Sequence, residues 1–259
     1  MKDFVLSDAW FWVIPNWVQF VLIAVISYMV GCFSVARFIS KLKKQDISKM
    51  GSGNPGAMNM IRQFGPAIGV TTFLLDAIKA GVPAIIVYHF YNVGSYIGVP
   101  AGYVFAGTQF SVGLFAAFLC GMCVVFGHIY PVTTKFKGGK GISSGVGLFW
   151  LMLGMANPWF WLAGFGIVLT WPITISATKV GSLCSLSYLA GFGVWQIGML
   201  FEGFGTGNVW VSFCVAFIFM VVAFSWMAHY KNMRCLLSGE EHQTVIIKFK
   251  KKTKKEKSV

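Results

Sequence analysis

Two glycine-rich segments carry the residue types needed to hold phosphate. In the first, Phe136-Lys137-Gly138-Gly139-Lys140-Gly141 leads into Ile142, Ser143 and Ser144. Adjacent glycines let the backbone approach a ligand with φ of either sign, successive N–H groups form an anion-binding nest, and Lys137 and Lys140 add positive charge. The nucleotide-binding P-loop requires GxxxxGK[ST] between a strand and a helix; spacing and context differ here, which argues against ATP hydrolysis. A tight basic turn obeying the positive-inside rule is the plainer reading of the same lysines.

The second segment, Gly51-Ser52-Gly53-Asn54-Pro55-Gly56-Ala57-Met58-Asn59, is followed by Arg62. Its glycines, proline and asparagines disfavour regular helix, and its Ser, Asn and Arg side chains suit a second anionic or hydroxylated group. A turn between helices explains Gly and Pro but not Asn59 and Arg62. Asp76 and Lys79 lie three apart, on one face of a helix, where they neutralise each other; charges within a membrane span are candidates for function. Thr178-Lys179-Val180-Gly181-Ser182-Leu183-Cys184-Ser185 is a further polar cluster, and His229-Tyr230-Lys231-Asn232, then Gly239 and Glu241, form the last.

The elements that position these segments are set by hydropathy. Apolar residues make up 56% of 259 positions and charged ones 11%, so lipid is the solvent for most of the chain. About 20 apolar residues cross a bilayer as helix, and seven stretches qualify: 18 to 39, 67 to 90, 106 to 127, 142 to 156, 159 to 177, 182 to 201 and 209 to 228. The fourth is short, but the charge-free run from 141 to 178 is too long for one span and Asn157-Pro158 interrupts it.

An odd number of spans puts the termini on opposite sides. Arg37, Lys41, Lys43, Lys44, Lys49, Arg62, Lys135, Lys137, Lys140, Lys179 and everything from Lys231 onward then share one face, which the positive-inside rule makes cytoplasmic. Trp10, Trp12, Trp17, Tyr88, Tyr91, Trp159, Trp195 and Trp210 form an aromatic belt on the other. Every glycine-rich segment falls on the cytoplasmic side beside the end of a span, where helix N-termini offer unpaired N–H groups to an anion.

The net charge of +13 describes a tail more than a domain, since seven of 21 basic residues lie between Lys248 and Lys257. That tail is expected to be disordered and drawn to anionic headgroups. The first 17 residues are aromatic and acidic rather than a basic leader, so they read as part of the mature protein. Of six cysteines only Cys120 and Cys123 form a CxxC pair, and with no partnering cluster they read as buried thiols. No metal or organic cofactor, no nucleic-acid partner and no particular oligomeric state is indicated.

Taken in order, the segments resemble the bacterial acyl-phosphate-dependent glycerol-3-phosphate acyltransferases, the PlsY family, from about Tyr28 to Glu241. The family's SGN-x-GATN-x-x-R corresponds to Ser52 through Arg62, with Ser52, Gly53, Asn54, Gly56, Asn59 and Arg62 matching. Its LD-x-x-K-G corresponds to Leu75, Asp76 and Lys79, its GH-x-x-P to Gly127, His128 and Pro131, its FKGGKG to Phe136 through Gly141, and its SL-x-S to Ser182, Leu183 and Ser185. The closing pattern matches at His229, Asn232, Leu236, Gly239 and Glu241. Met58 stands where the family has threonine, Tyr230 where it has arginine, Ser143-Ser144 where it has Ala-Thr, and Cys32 where serine is common.

The resemblance implies an all-α polytopic membrane enzyme of the bacterial cell membrane, with a seven-helix acyltransferase domain over 1–241 and a basic cytoplasmic tail over 242–259. It would join a fatty acyl phosphate to glycerol 3-phosphate at the cytoplasmic face, giving lysophosphatidic acid and phosphate for phospholipid synthesis. By the same resemblance Lys137, His229 and Asn232 take catalytic roles. Ser52, Gly53, Asn54, Gly56, Asn59, Arg62, Gly138, Gly139, Lys140, Gly141 and Ser182 bind the phosphates, and Lys79, His128 and Glu241 support them. An acyl phosphate is a mixed anhydride with a good leaving group, so positioning and charge stabilisation supply most of the catalysis. Acyltransferases that use thioester donors typically carry H-x4-D, and none of His89, His128, His229 or His242 has Asp five positions on. A transporter predicts an internal repeat or charges along a path, whereas the polar residues here gather on one face.

Overall fold

The computed structural model describes residues 16–96 and 112–239, and within them every regular element is helical. The helices are α1 (Asn16–Cys32), α2 (Val35–Leu42), α3 (Ala57–Phe64), α4 (Pro66–Tyr96), α5 (Val112–Ile129), α6 (Ile142–Ala156), α7 (Trp159–Thr178), α8 (Gly181–Phe204), α9 (Val209–Ala228) and α10 (Tyr230–Leu237). Single 3-10 turns at Ile47–Lys49 and Val132–Thr134 interrupt two loops. Trp10, Trp12, the start of the third apolar stretch at 106–111, Glu241 and the lysine-rich tail lie outside the described residues.

Six segments among the described residues are helical, long and apolar enough to cross a membrane: Trp17–Leu42, Pro66–Tyr91, Gly113–Thr134, Trp159–Thr178, Gly181–Phe204 and Val209–Ala228. The chain is therefore a multi-pass helical membrane protein. α6 is apolar but has only 15 residues, about 22 Å at 1.5 Å per residue, short of the roughly 30 Å hydrocarbon core. Most of its length is buried by neighbouring helices instead, through Val146, Leu148, Phe149, Met152 and Leu153.

The core joins α4, α5, α6, α8 and α9 through Ala80, Ala84, Phe118, Val124, Phe149, Leu189, Phe192, Ile218 and Val221. Large apolar side chains outside it, such as Ile26 on α1, Ile86 on α4, Leu162 on α7 and Phe219 on α9, are more than half exposed, as a lipid-facing surface requires. Helix pairs approach through small residues, a packing mode that hydrocarbon surroundings favour. A Cβ on Gly31 of α1 would sit 2.2 Å from the Val124 carbonyl oxygen of α5, and one on Gly147 of α6 would sit 2.3 Å from Ala77 Cα of α4.

The first apolar stretch continues without interruption in sequence, yet its helix breaks at Phe33-Ser34. Ser34 caps α2 by accepting from the Arg37 N–H, and the Phe33 carbonyl, released from helix, accepts from Lys79 Nζ at 2.9 Å. A small satellite core of Ala36, Ile47 and Met60 then folds residues 35 to 64 against the bundle.

Candidate active site

Residues from α4 through α9 gather at one end of the bundle, and a cavity of about 390 Å³ opens there. Its wall combines both glycine-rich segments with side chains from α4, α5, α7, α8, α9 and α10. Three helix N-termini meet at it: α3 after Gly56, α6 after Gly141 and α8 after Val180. None has a side-chain cap. The first N–H groups of a helix have no intrahelical partner and carry the positive end of its dipole, so the convergence turns several backbone donors toward one cavity. Arg62, Lys140 and Lys231 add three cationic side chains to the same wall.

The 136–141 loop is fixed rather than draped. Lys135 and Phe136 both take positive φ, at 54° and 58°, a turn that bonds hold in place: the Phe136 N–H donates to Pro131 O (2.9 Å) and the Lys137 N–H to Thr134 O (3.2 Å). The Lys137 carbonyl accepts from Arg37 Nη2 at 2.7 Å and from Thr134 Oγ1 at 2.9 Å. Gly138 and Gly139 lie directly on His128: a Cβ at Gly138 would come within 2.2 Å of the His128 carbonyl oxygen, and one at Gly139 within 2.1 Å of His128 Nε2. Gly141, with φ of 80°, turns the chain into α6.

The turn leaves the two lysines in different places. Lys140 lines the cavity, and its ammonium donates to Asn232 Oδ1 at 2.7 Å; Asn232 Nδ2 in turn donates to Ser182 Oγ at 2.8 Å. This relay ties the glycine loop to α10 and the start of α8. Lys137 is exposed and is not part of the cavity wall, so its side chain is not brought to Asn232 and His229 as the catalytic grouping expected from sequence would need.

In the second segment, Ser52, Gly53, Asn54, Gly56, Asn59 and Arg62 all line the cavity. Asn59 is 1% exposed and spends its amide on the loop itself: Nδ2 donates to Met50 O at 2.9 Å, and Oδ1 accepts from the Ser52 N–H at 3.3 Å. One N–H and one lone pair of the amide thereby hold the shape of the loop, and the residue still lines the cavity. Met58 contributes a thioether side chain to the wall.

His229, at the end of α9, is 3% exposed and places Nδ1 2.7 Å from the Ser225 carbonyl oxygen. A carbonyl only accepts, so the ring proton is on Nδ1 and Nε2 keeps its lone pair. Burial, reinforced by the charge of Lys140, pushes its pKa down to about 4, so the ring is neutral at physiological pH. Lys79 does not line the cavity; its side chain, largely covered, pairs with Asp76 at 2.9 Å, while Asp76 and His128 themselves face the cavity.

The apolar wall of the cavity carries no mark in the sequence. Phe73 of α4 and Trp171 of α7 line the cavity and stack with ring centroids 6.4 Å apart. Trp171 is anchored by its indole N–H to Ser185 Oγ at 3.3 Å. Both sit inside long apolar runs with nothing in the pattern to separate them from lipid-facing aromatics.

The glycerol-3-phosphate acyltransferase family model matches residues 21–239. This chain belongs to that family. Its relatives include the glycerol-3-phosphate acyltransferase of Thermotoga petrophila, 32% identical over 230 residues, which span 88% of this chain and 97% of the relative. Glycerol-3-phosphate acyltransferase 2 of Thermotoga maritima is also 32% identical over 88% of this chain and 97% of its own length. Among solved structures, the glycerol 3-phosphate form of PlsY, an integral membrane glycerol 3-phosphate acyltransferase, superposes with a TM-score of 0.61 at 26% identity, covering 87% of this chain and 95% of the other. The lysophosphatidic acid form of the same enzyme matches equally, at 25% identity. Membership of the acyltransferase family thus covers the cavity and every described helix that lines it.

Proposed function

We propose that the protein transfers a fatty acyl group from an acyl phosphate to glycerol 3-phosphate, releasing lysophosphatidic acid and inorganic phosphate. The observation that carries this reading is the meeting of three uncapped helix N-termini with Arg62, Lys140 and Lys231 in one cavity. Both substrates carry phosphate, and one cavity with two glycine-rich walls suits both. In this reading the 138–141 loop and Lys140 hold one phosphate, and Ser52, Gly53, Asn54, Gly56 and Arg62 the other. Lys137 adds charge at the rim, and Phe73 and Trp171 receive the acyl chain at the carboxyl end.

The glycerol hydroxyl attacks the acyl carbon, the C–O bond to phosphate breaks, and the proton of the hydroxyl leaves with the phosphate or through a base. His229 Nε2 is the available protein lone pair beside the Lys140–Asn232–Ser182 relay. Held positive charge and N–H donors stabilise the developing oxyanion and leaving phosphate without reorganising.

The same reading makes α6 the seventh crossing. Its N-terminus starts at the cavity, and α7 returns to the cavity at Trp171, the alternation that a crossing in each direction requires. The N-terminus is then extracytoplasmic and the cavity and C-terminus cytoplasmic, in a bacterial cell membrane. Membrane-impermeant labelling of single cysteines placed at 132 and 157, on either side of α6, tests this: opposite sidedness supports seven crossings, and labelling from the same side refutes it. The activity is tested by offering glycerol 3-phosphate with palmitoyl phosphate, palmitoyl-CoA or acyl carrier protein thioester. Product from acyl phosphate alone, lost in Lys140→Ala, supports the reading; product from a thioester alone refutes the donor assignment.

A further inference from the structure

The Lys79 side chain is 7% exposed, and its ammonium lies 2.9 Å from each of three acceptors: Asp76 Oδ1, the Phe33 carbonyl oxygen and His128 Nδ1. An ammonium has three protons and no acceptor, so all three are used. A counter-charge for Asp76 needs only one of them. The other two reach the break between α1 and α2 and the ring of His128, which joins three helices at one nitrogen.

The contact with His128 has a chemical consequence. A ring nitrogen facing an ammonium accepts, so Nδ1 carries the lone pair and the proton of the neutral imidazole is on Nε2. That is the opposite tautomer to His229, whose Nδ1 donates to Ser225. The glycine loop is then built on the histidine so oriented. The Gly139 N–H donates to the His128 carbonyl at 3.0 Å, Gly139 covers Nε2 with no room for a Cβ, and Gly138 abuts the His128 and Ile129 carbonyls.

We propose that Lys79 is the positioning residue of the phosphate loop: by locking the tautomer and ring orientation of His128, it sets the surface on which Gly138 and Gly139 rest and so aligns Lys140 and the first turn of α6. His128 is by the same geometry an N–H donor and not a base. This rests on the reading of the loop as a phosphate holder, but its first readout does not depend on turnover.

The test is 15N NMR of histidine-labelled protein in lipid, where the chain's four histidines are assigned by comparison with His128→Gln. The expected wild-type spectrum has His128 neutral with its proton on Nε2; a proton on Nδ1, or on both nitrogens, overturns the proposal whether or not the enzyme turns over. In Lys79→Met the tautomers of His128 are expected to mix, with KM for a phosphate substrate raised at least tenfold and kcat changed less than threefold. Adding Asp76→Asn to Lys79→Met separates positioning from charge balance. The double variant restores neutrality but not the contact to His128, so recovery of the wild-type tautomer and KM would overturn the proposal. Wild-type protein with the Nε2–H tautomer but no acyl transfer would instead count against the proposed function alone.

Discussion

Replacing Gly139 by alanine tests how rigidly the glycine loop, the proposed phosphate holder, is fixed. The new Cβ would lie 2.1 Å from His128 Nε2, where ordinary contact begins at 3.4 Å, so something must move by more than an ångström. His128 cannot yield freely, because Lys79 holds Nδ1 at 2.9 Å, and its backbone carbonyl already accepts from Gly139 itself. The loop has to lift. A misplacement of about 1 Å in a positioning group costs about 100-fold in rate, or about 2.7 kcal/mol of transition-state stabilisation, and overpacking of this kind costs about 1–3 kcal/mol of fold stability. Steady-state kinetics in lipid, with thermal unfolding measured alongside, should therefore show kcat/KM down about 100-fold. Gly191→Ala is the control: on α8, with nothing within 4 Å of the added Cβ, it should leave both unchanged. A Gly139→Ala enzyme within twofold of wild type at full stability would refute the claim that His128 templates the loop.

Other perturbations follow from the same geometry. Lys140→Ala should lower kcat/KM at least 100-fold and Lys137→Ala less than about fivefold, since only Lys140 lines the cavity; the two measured side by side in an acyl-transfer assay check the assignment. Asn232→Ala breaks both bonds of the relay from Lys140 to Ser182; at about 1.5–3 kcal/mol for a hydrogen bond to a charged group, kcat/KM should fall by roughly 10- to 100-fold. Trp171→Ala removes one of two stacked rings from the apolar wall and should shift preference toward bulkier or longer acyl phosphates, read as a ratio of kcat/KM values. His229 has its folded-state pKa depressed to about 4, against an ordinary 6.5. Between those values the unfolded chain binds more protons, so its contribution to stability is complete above pH 6.5 and is lost as pH falls toward 4. Thermal unfolding across pH 4 to 8 should show that loss, and His229→Gln should flatten it.

Much of the cavity lining was legible because its residues cluster in sequence. FKGGKG and SGN-x-G-A place glycines and cations side by side in contiguous sequence, the pattern that the proposed phosphate site uses. Six of the seven expected spans were legible because lipid demands long apolar helices. What escaped depends on how the chain turns in space. Lys137 and Lys140 look equivalent in sequence, and only the positive-φ turn at Lys135 and Phe136 sends one outward. Asn59 reads as a ligand, and nothing in the sequence shows that its amide also ties the loop together through Met50 and Ser52. Phe73 and Trp171 come from apolar runs whose periodicity carries no trace of a cavity. The helix break at Phe33-Ser34 lies in an unbroken hydrophobic stretch, and its carbonyl is satisfied by Lys79, 46 residues away.

The measurement closest to the central claim is phosphate release by the purified protein in lipid, given palmitoyl phosphate with and without glycerol 3-phosphate. The account predicts release that requires the acceptor and matches lysophosphatidic acid formed, mole for mole, and that is abolished in Lys140→Ala. Release independent of glycerol 3-phosphate, or none across several chain lengths and lipids, would contradict it.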